Sequence, residues 1–237
     1  MKKIMSVMLM GLIGLFGTMA WAGSDKDNSV ERMDKSVDVL HAAMTMDDHG
    51  IPEETLNDAK CILVVPNLIK GGFIFGAKHG RGVASCRTAD GWSAPAFVAI
   101  TGGSWGLQIG VEGVDLVVLV MNDRGFQHLM GSKFALTGEG SVAAGPVGRH
   151  ASAGTDWKMN TEFLTYSRAK GAFAGLTLEG AVITQDEDAT RAIYGRHQSS
   201  RNILSGRAAT PHSAEGFIKA VAAAGRQAKA AEVSEVK

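Results

Sequence analysis

The stretch WGLQIGVEGVDLVVLVM, residues 105–121, carries the clearest structural signal in this chain. Large apolar residues stand at 105, 107, 109 and 111 and alternate with Gly and Gln, which is the period of a β-strand. Residues 114–121 are apolar except for Asp115 and have the length of a buried strand. Glu112-Gly113 is a plausible turn between the two. The stretch therefore predicts two neighbouring strands rich in glycine.

Apolar runs and turn residues on the N-terminal side extend this sheet. Cys61–Val65 predicts a buried strand that Pro66 ends, and residues 88–91 (T-A-D-G) predict a hairpin turn. The chain has 30 glycines and only 5 prolines, which is typical of a body with many close backbone contacts. We predict further strands, listed by residue number: 72–77, 83–86, and within 157–166 and 172–182.

Helices are predicted at both ends of the sheet. An apolar stripe at helical spacing covers residues 30–46, with Asn28 or Ser29 as its cap. Further helices are expected after Pro52, from residue 122 to 130, over 186–194 and over 213–231. The predicted fold class is α+β: a Gly-rich antiparallel β-sheet or barrel-like body flanked by N- and C-terminal helices.

The first 22 residues have the pattern of a secretory signal peptide. Lys2 and Lys3 precede an apolar stretch too short to span a bilayer, and Ala20-Trp21-Ala22 is a cleavage motif. We expect residues 1–22 to be a signal peptide, 23–58 an acidic helical segment, 59–195 the core, and 196–237 a C-terminal helical segment. The mature chain would have 22 basic and 24 acidic side chains, a balance that argues against nucleic-acid binding.

Motifs that resemble catalytic sites lack the surroundings that catalysis requires. Gly102-Gly103-Ser104-Trp105-Gly106 fits G-x-S-x-G, but a nucleophile elbow needs a helix after the serine, and a strand is predicted there. Residues 138–143 fit a loose dinucleotide motif, but Gly145 and Pro146 would break the required helix. The histidines are scattered without metal-ligand spacing. We expect no enzyme activity, no cofactor and no metal.

Charge is segregated along the chain. Residues 23–58 contain ten Asp or Glu and three Lys or Arg, whereas residues 59–89 contain five Lys or Arg, one His and no acid. Residues 189–214 contain four arginines, two histidines and again no acid. The bases either pair internally with the acidic helices or form a cationic face for phosphate groups. Residues 78–82 (K-H-G-R-G) form the most concentrated basic segment.

The chain resembles the SYLF domain family from about Asn57 to Gly195. The resemblance rests on motifs in one order, by residue number: 59–66, 71–73, 80–82, 91–97, 102–104, 106–110, 142–148, 166–171 and 173–175. It implies binding of anionic phospholipids, phosphoinositide-like head groups included, and glycine motifs that shape the fold. Eukaryotic members use an N-terminal amphipathic segment at membranes. Here that region is acidic, which disfavours insertion by that route.

These observations together predict a non-catalytic protein of the bacterial cell envelope, periplasmic or secreted, that binds an anionic phospholipid membrane surface. The alternative is a structural module that binds another envelope protein. The expected lipid-binding residues are Lys70, Lys78, His79, Arg81, Arg87, Arg168 and Lys170. Cys61 and Cys86 form a disulfide if their strands are neighbours, and otherwise they are two buried thiols.

Overall fold

The structure is a computed structural model that describes residues 17–46, 50–136, 142–147, 161–169, 172–175, 178 and 180–235. The helices are α1 (Gly17–Thr45), α2 (Glu53–Asp58), α3 (Asp123–Leu129), α4 (Glu187–Tyr194), α5 (Ser200–Leu204) and α6 (Glu215–Glu235), with a 3₁₀ turn at His212–Ala214. The strands are β1 (Cys61–Thr88), β2 (Gly91–Trp92), β3 (Ala96–Val120), β4 (Lys133–Ala135), β5 (Val142–Ala144), β6 (Phe163–Ala169), β7 (Ala172–Gly175) and β8 (Val182–Gln185).

The described strands form one curled sheet with the order β2-β1-β3-β6-β5, in which β8 pairs with β3 and β4, and β7 pairs with β6. The pairings are antiparallel except that of β5 with β6, which is parallel. Helices flank this half-barrel at both ends of the chain. The predicted α+β class is therefore confirmed.

The central element is a β1/β3 hairpin that folds back on itself. Cys61 and Cys86 lie in the same strand, and 25 residues of straight strand would span about 80 Å. Their Cα atoms are only 3.9 Å apart, and their sulfurs form a disulfide. The strand therefore reverses its direction between them, which brings the two strand segments of the sequence prediction face to face.

Two glycines show where the halves of β1 touch. A Cβ atom on Gly82 would lie 2.5 Å from the Val64 carbonyl oxygen, and one on Gly80 would lie 2.6 Å from Val65 Cγ1. Residues 80 and 82 thus lie against 64 and 65, which centres the reversal near residue 73. A register shift between Gly72 and Ile74 falls at the same place. Such irregularities are a common means of bending a strand.

We define the hairpin bend as residues 69–79 of β1 with 101–113 of β3. The hairpin base is residues 61–68 and 80–88 of β1 with 96–100 and 114–120 of β3. At the base both faces of the ribbon are buried. Successive side chains of a strand point to opposite faces, so neighbouring residues enter two different cores. Leu63 and Leu116 belong to an inner core enclosed by the folded hairpin. Ile62 and Val117 belong to an outer core that α1, α2 and α6 cover.

A buried ion pair holds α1 on the hairpin base. Arg32 Nη1 lies 3.0 Å from Asp186 Oδ2, and less than a tenth of either side chain is exposed. Asp186 also caps α4, since its side chain accepts a hydrogen bond from the Ala189 N–H. The guanidinium of Arg32 lies over the ring of Phe97. These contacts connect the N-terminal helix, the sheet and α4.

Three local predictions are wrong because tertiary contacts override short-range signals. Pro66 does not end a strand: β1 continues through a register shift in which Asn67 has φ 56°. Glu112-Gly113 is not a turn, because β3 runs through it opposite Lys70 and Ile69. The first helix is not capped at Asn28 or Ser29: it begins at Gly17, and Ser29 donates to the Asp25 carbonyl within it.

Other local predictions are confirmed. Asn122 caps α3 by accepting from the Gly125 N–H, and α2 begins directly after Pro52. Thr88 pairs with Gly91 across the predicted hairpin turn. In the described part of the chain, no helix combines the length and the hydropathy needed to cross a membrane. Helix α5 and the 3₁₀ turn at 212–214 were missed, since a single helical turn carries little periodicity.

Candidate functional site

The hairpin bend brings two of the seven predicted lipid-binding residues together. Lys70 and Lys78 lie on either side of the reversal in β1, and the alternation that points Leu68 inward points both lysines to the inner face. The Lys70 side chain is 17% exposed, and Lys78 is half-buried. Burial, followed by repulsion from Lys70, lowers the pKa of Lys78. The two ammonium groups are therefore close enough to repel each other.

Glu112 is the carboxylate beside this pair. It lies directly opposite Lys70 in the β1/β3 register, and its Oε2 is 4.0 Å from Lys70 Nζ. That separation is too long for a hydrogen bond and allows only a partly screened attraction. At this distance Glu112 offsets the charge of Lys70 incompletely. The inner face of the bend is therefore suited to a further anion.

His79 and Arg81 point to the outer face and differ in their contacts. His79 is exposed at the edge of the bend. Arg81 belongs to the hairpin base, where its Nε lies 3.8 Å from Asp186 Oδ2, the carboxylate that also pairs with Arg32. The Arg81 side chain remains 59% exposed. Arg81 is thus attached to the helix-covered base, whereas His79 is not held in this way.

Arg87 stabilises the junction between α2 and β1. Its guanidinium donates to the carbonyls of Ala59 and Asn57 and lies 4.6 Å from the centre of the Trp92 ring. Burial lowers its pKa, and Asp58 partly offsets that effect. These contacts fix Arg87 in the framework, away from Lys70 and Lys78.

Arg168 is held by a network of its own. Two of its guanidinium nitrogens donate to Asp115 Oδ2, one of them at 2.9 Å, and Phe173 lies beside it. Asp115 Oδ1 also accepts from the Asn67 N–H, so this pair supports the irregular turn at Pro66. Lys170 lies outside the described residues. The predicted basic residues therefore do not form one face.

Among the side chains of the bend that the structure describes, two apolar ones are strongly exposed, and neither was expected from the sequence. Ile69 is 46% exposed and Val111 is 81% exposed. The sequence shows both in apolar runs, where burial is the natural expectation. The available signal was the acid-free, glycine-rich composition of residues 71–77, because glycines cannot cover a neighbouring side chain.

The catalytic motif considered above lies in an unsuitable place. Residues 102–106 run through β3, paired with residues 74–78 of β1, so no helix follows Ser104. The geometry of a nucleophile elbow is therefore absent at this position. Within the described ranges, no three His, Cys, Asp or Glu side chains come together as a set that could hold a metal ion.

Comparison with known proteins gives the family. The family described as "Ysc84: Las17-binding protein actin regulator" matches residues 101–224. The chain is 38% identical over 174 residues to an SH3 domain-containing protein of Schizosaccharomyces pombe, covering 71% of this chain and 40% of that protein. In Saccharomyces cerevisiae, Protein YSC84 is 35% identical over 178 residues, with 73% and 37% covered. LAS seventeen-binding protein 3 of the same organism is 34% identical over 178 residues, with 73% and 38% covered.

The chain spans about two fifths of the length of these relatives. What matches is therefore a part of each relative. The family match begins within β3 and ends within α6. The resemblance found in the glycine motifs is thereby confirmed, and the chain belongs to the Ysc84 (SYLF) domain family.

Proposed function

We propose that this protein binds the surface of anionic phospholipid membranes at the bacterial cell envelope, without catalysis. The observation that carries the proposal is the position of Lys70 and Lys78 on the inner face of the hairpin bend, where the charge of Lys70 contributes to lowering the pKa of Lys78 and Glu112 Oε2 lies 4.0 Å from Lys70 Nζ. A phosphate oxygen entering between the two ammonium groups would relieve their repulsion and replace the water that they lose on burial. Phosphate is the anionic group common to all such lipids.

The layout of charge gives the bound molecule an orientation. Four of the five acidic residues of α1 form an exposed stripe at helical spacing, namely Asp27, Glu31, Asp34 and Asp38. Helix α1 packs on the hairpin base, whereas the lysine pair lies at the bend. An anionic surface attracts the bend and repels the acidic stripe. The protein would therefore meet the membrane with the bend first.

Location at the envelope is supported by two features of the chain. Residues 1–22 have the charged, apolar and small-residue parts of an export signal. The Cys61–Cys86 disulfide is of a kind that persists in oxidising compartments. Both fit an exported protein whose ligand is an envelope phospholipid. A non-catalytic role fits the position of Ser104 within a paired strand.

The test is co-sedimentation with vesicles of phosphatidylglycerol against vesicles of phosphatidylcholine, at two salt concentrations. Binding should require the anionic lipid and weaken with salt, because exposed charges are screened beyond about 10 Å at 0.1 M. Replacing Lys70 and Lys78 together by Gln should weaken binding about thirtyfold, because each charge near the surface contributes about 1 kcal/mol to the binding free energy.

A matched control removes two positive charges that lie away from the bend, one beside the hairpin base and one within it. Lys60 and Arg81 belong to the same acid-free segment as the lysine pair. Lys60 Nζ lies 2.9 Å from Asp123 Oδ1, and Arg81 Nε lies 3.8 Å from Asp186 Oδ2. The Lys60→Gln/Arg81→Gln variant should bind nearly as the wild type does. Equal loss in both variants would show that net charge, and not the bend, governs binding. Equal binding to neutral and anionic vesicles would refute the charge-based mechanism.

A protein partner is the second candidate function. The family description and one yeast relative are named for binding Las17 or LAS seventeen, so this domain occurs in proteins named for a protein partner. The exposed acidic stripe of α1 is the surface that would suit a basic partner here. A null result with every vesicle, together with affinity for a basic envelope protein that Asp34→Asn and Asp38→Asn weaken, would favour this function.

A further inference from the structure

The outer face of the hairpin bend carries two apolar side chains that none of the described residues covers. Val111 is 81% exposed and Ile69 is 46% exposed, and these are the large apolar side chains with high exposure in the described part of the chain. Ile69 lies opposite Gly113, and Val111 lies opposite Gly71. Directly opposed residues share a face of the ribbon, so Ile69 and Val111 are diagonal neighbours on one face.

The two segments that form the tip of the bend contain no charged residue. Residues 71–77 and 101–111 contain no Asp, Glu, Lys or Arg, whereas Lys70, Lys78 and Glu112 stand at the margins. A segment that enters hydrocarbon must lack charge, because a charged side chain there costs several kcal/mol. Lysines at the margin of such a segment can remain at the level of the lipid phosphates. The uncharged segments of the bend would thus lie in the hydrocarbon, and the lysines at their margins would lie at the level of the phosphates.

We infer that the hairpin bend inserts into the outer part of an anionic phospholipid layer, with Val111 and Ile69 as its apolar anchors. This inference rests on the proposed function and adds a contact that charge alone does not provide. A second copy of the chain is the alternative occupant of this apolar pair, and the measurements below distinguish it from a lipid layer.

Site-specific labelling tests the insertion directly. Both cysteines of the chain are bonded to each other, so a Val111→Cys variant offers a unique thiol for an environment-sensitive fluorophore. Adding phosphatidylglycerol vesicles should shift the emission to the blue, and lipids with a quencher on the acyl chain should quench it. An Asp34→Cys variant, labelled on the exposed side of α1, is the control and should show neither effect.

Affinity measurements supply a second readout. Val111→Gln should weaken binding to phosphatidylglycerol vesicles about tenfold, since full burial of a Val side chain contributes about 1.5 kcal/mol. Val111→Leu keeps the apolar anchor and should bind at least as tightly as the wild type. Because Val111 is exposed in the free protein, neither change should alter the thermal unfolding midpoint.

The outcomes separate this inference from the proposed function. Salt-sensitive binding of the wild type to anionic vesicles, with no emission shift at position 111 and equal affinity for Val111→Gln, would overturn the insertion and leave surface binding intact. A blue shift that grows with protein concentration in the absence of vesicles would assign the apolar face to a second copy instead. No binding of the wild type to any vesicle would overturn both.

Discussion

At the hairpin base both faces of the β1/β3 ribbon are buried, whereas at the hairpin bend the outer-face side chains that the structure describes, Ile69 and Val111 among them, are exposed. The backbone pairing is the same antiparallel ladder in both regions. The base has Leu63 within the fold and Ile62 under the helices, and the bend has Lys70 within the fold and Ile69 in water. One ribbon thus supplies buried packing at one end and, on the function proposed above, a binding surface at the other. Changes at the base should affect unfolding, and changes at the bend should affect binding.

Removing the disulfide should cause the largest loss of stability. Cys61→Ala/Cys86→Ala opens a loop of 25-residue separation at the base. The chain-entropy relation gives a loss of about 3.5 kcal/mol in the free energy of unfolding. Urea denaturation of the variant and the wild type measures it.

Thiol titration of unfolded, unreduced protein is the companion measurement, and it should detect no free thiol. Two reactive thiols would contradict the disulfide itself. Vesicle affinity of the folded variant should stay within a factor of two of the wild type. A strong loss of vesicle affinity in a fully folded variant would show that the base also contributes to binding.

Breaking the buried ion pair of α1 should cost nearly as much. Arg32→Met leaves Asp186 buried with Arg81 3.8 Å away as its remaining cation. Removal of one partner of a buried pair costs about 3 kcal/mol, because the other charge has lost its counterion. Chemical denaturation measures the change in unfolding free energy.

Lys35→Gln is the matched control on the same helix. Its ion pair with Glu31 is solvent-exposed, so unfolding should stay unchanged within error. Equal destabilisation by the two variants would show that the attachment of α1 depends on general charge and not on the Arg32–Asp186 contact.

Adding a methyl group to a glycine should separate the two regions most sharply. Gly82→Ala places a Cβ atom 2.5 Å from the Val64 carbonyl oxygen, where the halves of the base touch. Gly103→Ala, at the bend, places one 3.9 Å from the Gly76 carbonyl oxygen. We expect a loss of about 2 kcal/mol for Gly82→Ala and under about 0.5 kcal/mol for Gly103→Ala. Thermal unfolding of both variants checks this, and similar midpoints would show that the base can relax.

Short-range chemistry was sufficient to predict several parts of the molecule. The capping of α3 by Asn122 depends on a side chain and an N–H group three residues apart, and the start of α4 after Asp186 follows an equally local acidic signal. The turn at residues 88–91 is equally local. Glycine motifs in a fixed order identified the family, because they mark close backbone contacts that proteins of one fold share.

The tertiary structure decided where the basic residues go. In the sequence, Lys70, Arg81 and Arg87 belong to one acid-free segment. In the fold, Lys70 faces inward at the bend, Arg81 lies near Asp186, and Arg87 binds carbonyls near α2. Their carboxylate and carbonyl partners are up to 105 residues away along the chain, so no local pattern could assign them.

The sequence alone determined the α+β composition, the helical ends and the family, since periodicity, capping and glycine motifs act over a few residues. Only the tertiary structure decided that β1 and β3 are single long strands. Pro66 and Gly113 are local signals for a break, but the Asp115–Asn67 hydrogen bond and the ladder on both sides carry the strands through. The reversal near residue 73 then sets which side chains face inward, because a strand's two faces are distinguished only by what packs against each. The packing against each face exists only in the folded chain. It distinguishes the inner face of the bend, which carries the lysine pair, from the outer face, which carries Ile69 and Val111.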